Sequence, residues 1–178
     1  MERVKLPNQY THEDRAPSTL VEAELRLKFS YDPDTGLICY RKNGREAGWK
    51  LPKGYRQISL HSKPFAAHRV AWFLHHGVWP KDGLDHVNGI RDDNRLLNLR
   101  EANQAENAQN RGRSRLNKSG FIGVSMNGRS GRWEASIGVG RSRVRLGWFA
   151  TPEAAAQAYA DKKKELHLFQ PTLRDGGI

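Results

Sequence analysis

An α+β fold of two small lobes is what this 178-residue sequence predicts, and three observations predict it. Short strand-like runs joined by tight turns alternate with helix-like segments over residues 18–111. Three further strand-like runs and one well-signalled helix follow over residues 119–168, which suits a small three-stranded antiparallel sheet packed on one helix. Between the two lies a polar, basic, turn-rich stretch, residues 112–118, that reads as a linker. Residues 1–17 carry balanced charge, Pro7 and Pro17, and read as a flexible lead-in; residues 169–178 read as a loose tail.

Each element has its own local signal. Ser18 stands where a helix cap belongs, ahead of a helix to Lys28 with Leu20, Leu25 and Leu27 as its apolar residues. Asp32-Pro33-Asp34-Thr35-Gly36 has turn chemistry and joins residues 29–31 to 37–40 as a hairpin. Residues 48–54 read as loop, and 55–60 and 64–67 as strands. A helix over 68–76 places Val70, Phe73 and Leu74 at core spacing and ends at Gly77, with Trp72 and Trp79 as packing residues. Leu84-Asp85-His86 reads as a short strand, Asn88-Gly89 as a turn, and 101–110 as a helix with Asn103, Asn107 and Asn110 on one face. In the second lobe, 121–126, 132–139 and 144–149 are the strands. Thr151-Pro152-Glu153 opens a helix whose apolar face is Ala155, Ala158, Tyr159 and Leu166. Trp148 and Phe149 are assigned to the core.

Composition narrows the partner. Thirty Lys+Arg against nineteen Asp+Glu leave a net charge of +11, which suits a polyanion. The excess gathers between residues 111 and 150 as Arg111, Arg113, Arg115, Lys118, Arg129, Arg132, Arg141, Arg143 and Arg145, opposed there only by Glu134. Aromatic residues among these charges favour nucleic acid, and the cluster lies on no amphipathic helix of the kind that binds membranes. A mean hydropathy of -0.78, no bilayer-length apolar run and no secretory leader at the first residues point to a cytoplasmic protein. Cys39 stands alone, so no internal disulfide and no zinc site built on paired cysteines is expected.

The chemistry concentrates in residues 84–110. Asp85 offers a carboxylate and Asn107 an amide oxygen, the donors a hard divalent ion such as Mg²⁺ prefers. His86 beside them is suited to act as general base near neutrality. On an extended Asp-His pair the side chains diverge, so ion and base would approach a scissile phosphate from different sides. Residue chemistry alone leaves two readings open. One is a metal-dependent nuclease site; the other is a polar loop in which Asn88, Asp92, Asp93 and Asn94 simply make turns.

Asp85-His86-Val87-Asn88-Gly89, Asn94-Arg95-Leu96, Asn98-Leu99-Arg100 and Glu106-Asn107-Ala108-Gln109-Asn110 together resemble the HNH endonuclease motif, in the variant of phage and homing-type enzymes. Ala67-His68-Arg69-Val70-Ala71-Trp72 and Asp34-Thr35-Gly36 resemble the lead-in of those proteins. Residues 119–168 resemble a plant ethylene-response-factor (APETALA-type) DNA-binding domain. The carrying motifs are Ser119-Gly120-Phe121-Ile122-Gly123-Val124, Arg132-Trp133, Leu146-Gly147-Trp148-Phe149 and Glu153-Ala154-Ala155-Ala156-Gln157-Ala158-Tyr159.

The resemblance implies a ββα-metal nuclease lobe over 18–111 and a Mg²⁺- or Mn²⁺-dependent endonuclease acting on double-stranded DNA. It implies that Asp85 and Asn107 hold the ion, that His86 activates water, and that Asn98 braces the loop and orients the base. Asn107 stands where the family name places a final His, which favours an oxygen-preferring ion over zinc. Arg111, the linker's Arg113 and Arg115, and Arg129, Arg132, Arg141, Arg143 and Arg145 of the second lobe are the expected DNA contacts; Trp133 either joins them or packs in the core against the final helix. Plant relatives carry arginines on the first strand where this chain has Ser125 and Met126. One site per chain implies nicking by a monomer, or double-strand cutting by a homodimer. The rival expectation is a sequence-specific DNA-binding regulator with a vestigial nuclease lobe. An RNA-binding module has less support, because no stacking motif of the usual RNA folds appears.

Overall fold

A computed structural model of the chain describes residues 17–114, 116–140, 142–170 and 173. They form two compact units of mixed α and β structure. One runs to Trp79 and takes in Asn94–Leu96; the other comprises Pro80–Asp93 and the chain from Leu97 onward. This division does not follow the lobes read from sequence, because residues 80–93 and 97–111 cluster with the C-terminal sheet. Among the described residues no helix is long and apolar enough to cross a membrane.

The first unit begins with helix α1 (Thr19–Lys28) and the hairpin β1 (Phe29–Tyr31) and β2 (Ile38–Tyr40). The turn between the strands is held by Asp32, whose Oδ1 accepts from the Asp34 amide at 3.0 Å. An antiparallel meander follows: β3 (Trp49–Lys50), β4 (Arg56–Leu60) and β5 (Lys63–Ala66). The loop expected at 48–54 therefore contains a short strand. Helix α2 (Ala67–His76) closes on Gly77, which takes the left-handed conformation at φ 80° and donates its N–H to Phe73 O. Leu25, Phe29, Ile58, Val70 and Phe73 are fully enclosed and form the core. Trp79 stacks on Phe73 at 4.6 Å and donates to Glu22 at 2.9 Å, so it packs as expected. Leu20 and Leu27 do not join Leu25; seven residues apart on α1, they both face solvent.

In the second unit, β6 (Gly83–His86) pairs antiparallel with β7 (Leu99–Ala102), and helix α3 (Gln104–Gln109) follows. The helix expected over 101–110 is thus divided: its first residues complete a hairpin and only six remain helical. The physical reason lies in Asn103. Its side chain accepts the amides of Ala105 and Glu106 while Glu106 reaches back to the Asn103 amide, a capping box that starts the helix there. Asn110 ends the helix. The three asparagines therefore occupy a cap, a helical position and a C-terminal boundary.

The C-terminal sheet runs in the order β10 (Ser142–Phe149), β9 (Trp133–Val139), β8 (Val124–Met126), all antiparallel. Helix α4 (Pro152–Leu166) starts at Thr151, whose hydroxyl accepts from the Ala154 amide at 3.2 Å. Val124, Ala135 and Ala155 form a small core, against which Phe121, Trp133, Leu146 and Phe149 pack. Tyr159 lies where a Cβ on Gly123 would stand, 2.1 Å from its ring, and Gly123 has φ +74°; only glycine fits. Trp148 departs from its expected core position. It pairs with Glu134 on the other face of the sheet and is 36% exposed.

Candidate functional site

The antiparallel register of β6 and β7 places Asp85 opposite Arg100 and His86 opposite Leu99. Directly paired residues share a face of the ribbon, and here they form an ion pair. Arg100 donates to Asp85 Oδ2 from Nε at 3.1 Å and from Nη2 at 2.8 Å. Asp85 is only 8% exposed and His86 5%, while the Arg100 side chain is a quarter exposed, so the carboxylate end of the pair is buried and its guanidinium end reaches water.

A second donor reaches Asp85 from the end of α3. Buried Asn110 donates its amide to Oδ1 at 3.0 Å, Oδ2 at 2.8 Å and the carbonyl of His86 at 2.8 Å. All of these partners are acceptors, which dictates the orientation of the amide. The Asn110 Oδ1 is buried and meets no hydrogen-bond donor among the described residues.

Asn98 spans the turn that follows His86. Its Oδ1 accepts the Asn88 amide at 2.9 Å, its Nδ2 donates to Asp93 O at 2.7 Å, and its backbone carbonyl accepts Val87 N at 2.9 Å. Asn88 in turn ties Asp93 and the Ile90 amide. Asn107 lies beside Gly83. A Cβ built there would come within 3.5 Å of the Asn107 amide and 3.1 Å of Ala102 O. Gly83 and Asp85, two apart on a strand, share one face, so Asn107 and Asp85 bear on the same side of β6. Among the described residues no three His, Cys, Asp or Glu side chains group as a metal site. An ion at this face would rest on one carboxylate, one amide and water.

Arg100 is also gripped from the far side. Its Nη1 donates to Phe169 O at 2.9 Å, its Nη2 to Gln170 Oε1 at 2.7 Å, and its guanidinium lies 3.8 Å from the Phe169 ring centroid. Gln170, expected in a loose tail, is buried. Nearby, Lys163 of α4 is 3% exposed and donates to Gln109 O at 2.7 Å, the last turn of α3. His167 Nε2 faces Gly138 O at 2.7 Å and must carry the proton there. Its Nδ1 is then free to accept from Lys163 at 3.3 Å. Burial pushes the Lys163 ammonium down to about 8.

The basic side of the C-terminal sheet is the face away from the small core. Cross-strand pairing puts Arg143 with Gly138, Arg145 with Ser136 and Trp148 with Glu134 on that face. Arg143 Nε donates to Ser136 at 2.8 Å, and Arg145 stands near Glu134 and over the Trp148 ring. Arg111, Arg113, Arg129 and Arg132 are exposed as well. Arg115 and Arg141 lie outside the described residues. Trp133, expected either among the DNA contacts or in the core, packs against the core; Trp148 is the aromatic residue on the basic face.

Residues 65–109 match the family model described as HNH endonuclease. Over that span the chain is similar to HNH endonucleases. A solved chain from work on DNA binding and cleavage by the HNH homing endonuclease I-HmuI is also similar, at 28% identity and a TM-score of 0.38. That match covers 46% of this chain and 50% of the other, so the chain aligns with half the length of that relative. No curated protein matches this sequence. The HNH match takes in Asp85, His86, Asn98 and Asn107, but stops one residue short of Asn110.

Sequence reasoning missed Arg100, Asn110, Lys163, Phe169 and Gln170 as partners of this region. For Asn110 a signal was present, as one of three asparagines on a short segment. Arg100 stands in the Asn98-Leu99-Arg100 stretch of the motif, though nothing there marked its pairing; for Lys163, Phe169 and Gln170 there was no signal, since each acts across a long stretch of chain.

Proposed function

We propose that this chain is a divalent-metal-dependent DNA endonuclease of the phage or homing type that acts in the cytoplasm of a bacterial cell. The observation that carries the reading is the placement of Asp85 and His86 side by side on β6, within the span similar to HNH endonucleases, with Asn107 on the same side as Asp85. The donors fit a hard ion: among the described residues Asp85 Oδ1 accepts a single hydrogen bond, and bare Gly83 leaves room beside the Asn107 amide.

Asp85 and Asn107 hold the ion, Mg²⁺ or Mn²⁺. When bound, it supplies charge stabilisation for the phosphorane-like transition state and the departing oxygen. His86 takes a proton from the attacking water at a ring nitrogen. Asn98 keeps the 88–93 turn, and with it the end of β6, in place. Asp85 is kept in one orientation by Arg100 and Asn110. The APETALA-like region, residues 119–168, binds duplex DNA through Arg132, Arg143 and Arg145, with Arg111, Arg113, Arg115, Arg129 and Arg141 adding phosphate contacts. A monomer with one site nicks one strand.

The test is conversion of supercoiled plasmid to open circle with Mg²⁺ or Mn²⁺, suppressed by EDTA. His86→Ala is expected to lose cleavage by a factor of about 10² or more while keeping DNA affinity; cleavage at the wild-type rate sinks the general-base role. One observation favours a second reading, a DNA-binding regulator with an inactive nuclease lobe: Arg100 already neutralises Asp85. Tight site-specific binding in Mg²⁺ and Mn²⁺ with no cleavage of any substrate would establish it.

A further inference from the structure

Three hydrogen bonds converge on one oxygen of Asp85. Arg100 Nε and Nη2 stand 3.1 and 2.8 Å from Oδ2, and the Asn110 amide 2.8 Å. An ionised carboxylate oxygen has about two lone-pair sites, so Oδ2 is saturated. Among the described residues Oδ1 receives only the Asn110 amide, at 3.0 Å. The residue that creates this asymmetry is itself clamped from beyond α4, by Phe169 O, by Gln170 Oε1 and by the Phe169 ring. Gln170 is anchored in turn, its amide 3.3 Å from Gln109 Oε1 at the end of α3. An exposed arginine seeking any acidic partner would have no need of such a frame.

We propose that Arg100 is a positioning residue for cleavage, which restricts Asp85 to single-oxygen ligation of the divalent ion, and that the segment following α4 sets how firmly it does so. The proposal rests on the reading of Asp85 as a metal ligand. Single-oxygen ligation suits Mg²⁺, which demands octahedral geometry and keeps several waters; a free carboxylate that binds through both oxygens suits the larger, more tolerant Ca²⁺. The guanidinium charge also repels the ion. Arg100 therefore lowers metal affinity while improving geometry. The C-terminal lobe, on this view, tunes the chemistry as well as binding DNA.

The opposed effects give a readout that simple structural damage lacks. Mn²⁺ binding to the full-length protein without DNA is measured by the loss of its free-ion paramagnetic resonance signal, beside plasmid cleavage kinetics, for wild type, Asp85→Ala, Arg100→Gln and the double variant Phe169→Ala/Gln170→Ala. Arg100→Gln is expected to bind Mn²⁺ about tenfold tighter, the effect of removing a unit charge roughly 5 Å from a divalent ion in a water-like dielectric. Its kcat should fall with KM for DNA unchanged, and Ca²⁺ should compete better against Mg²⁺. The double variant, which leaves Asp85 and Arg100 in place, should move both readouts the same way by a smaller factor. Unchanged or weaker Mn²⁺ binding in Arg100→Gln overturns the positioning role, and wild-type values in the double variant overturn the part given to the C-terminal segment. If Asp85→Ala binds Mn²⁺ like wild type, the metal-ligand reading itself fails; if it loses the ion while Arg100→Gln changes nothing, only the role of Arg100 fails.

Discussion

The amide of Asn110 donates to both carboxylate oxygens of Asp85, at 3.0 and 2.8 Å, from twenty-five residues further along the chain. This contact joins the end of α3 to the middle of β6. It also uses the only donor group of the Asn110 side chain, and among the described residues that side chain's buried carbonyl oxygen has no donor of its own.

Truncating Asn110 removes a charge-assisted bond in a buried setting. Asn110→Ala is expected to destabilise the protein by about 2–3 kcal/mol, read as a lower urea midpoint at unchanged slope. Asn110→Asp should be worse, because it sets a second carboxylate against Asp85. A stable Asn110→Asp variant would show that Asp85 is less enclosed than its geometry indicates.

Asn98→Ala takes away both side-chain bonds that cross the 88–93 turn. Cleavage is expected to drop by roughly 10- to 100-fold, while the loss of stability stays near about 1–2 kcal/mol. Full activity in this variant, assayed on supercoiled plasmid, would mean the turn holds its shape without the Asn98 amide.

Lys163 makes stability depend on alkaline pH. Its folded pKa is about 8 against an ordinary value of 10.5, because burial disfavours the charged form. The unfolded chain therefore binds more protons between those values, and stability rises with pH through that window. Below pH 8 the lysine is protonated in both states and the burial penalty is present in full. Relative to Lys163→Met, wild type should gain on the order of 2 kcal/mol from about pH 8 to about pH 10 in denaturant titrations. A pH-independent difference between the two proteins would contradict this.

If the exposed face of the C-terminal sheet meets DNA phosphates, binding falls steeply with salt. Each of Arg132→Gln, Arg143→Gln and Arg145→Gln should flatten the slope of log K against log salt by about 0.9 for each phosphate that is no longer neutralised. Arg129→Gln, on the β8–β9 turn, provides a comparison. Slopes identical to wild type in all four would place the DNA elsewhere.

Gly123→Ala should cost at least about 2 kcal/mol, from strain at positive φ and displacement of the Tyr159 ring. Thermal unfolding of the variant measures it directly. A neutral effect would require the ring to vacate its place over Gly123 freely.

Much of this architecture is local and could be read from sequence for that reason. The Asp32 turn, the Gly77 helix end and the Thr151 cap each depend on a few neighbouring residues, and all stand where their chemistry predicts. The HNH motif was equally legible, because adjacent Asp85 and His86 and the asparagines beyond them lie within one short stretch. Where local preference met a competing use of the same residue, reading failed. Asn103 as a cap shortened the expected helix, and pairing with β6 drew Leu99–Ala102 into a strand. Helical spacing alone could not reveal that Lys163 is buried, since its stabilising contacts come from Gln109 and His167. Sequence by itself determined the chemical inventory and the turns; only the tertiary structure decided which groups meet. Arg100 and Asn110 converge on Asp85, and Phe169 and Gln170 hold Arg100 across separations of up to seventy residues; contacts of that range are selected by packing, which no local pattern encodes.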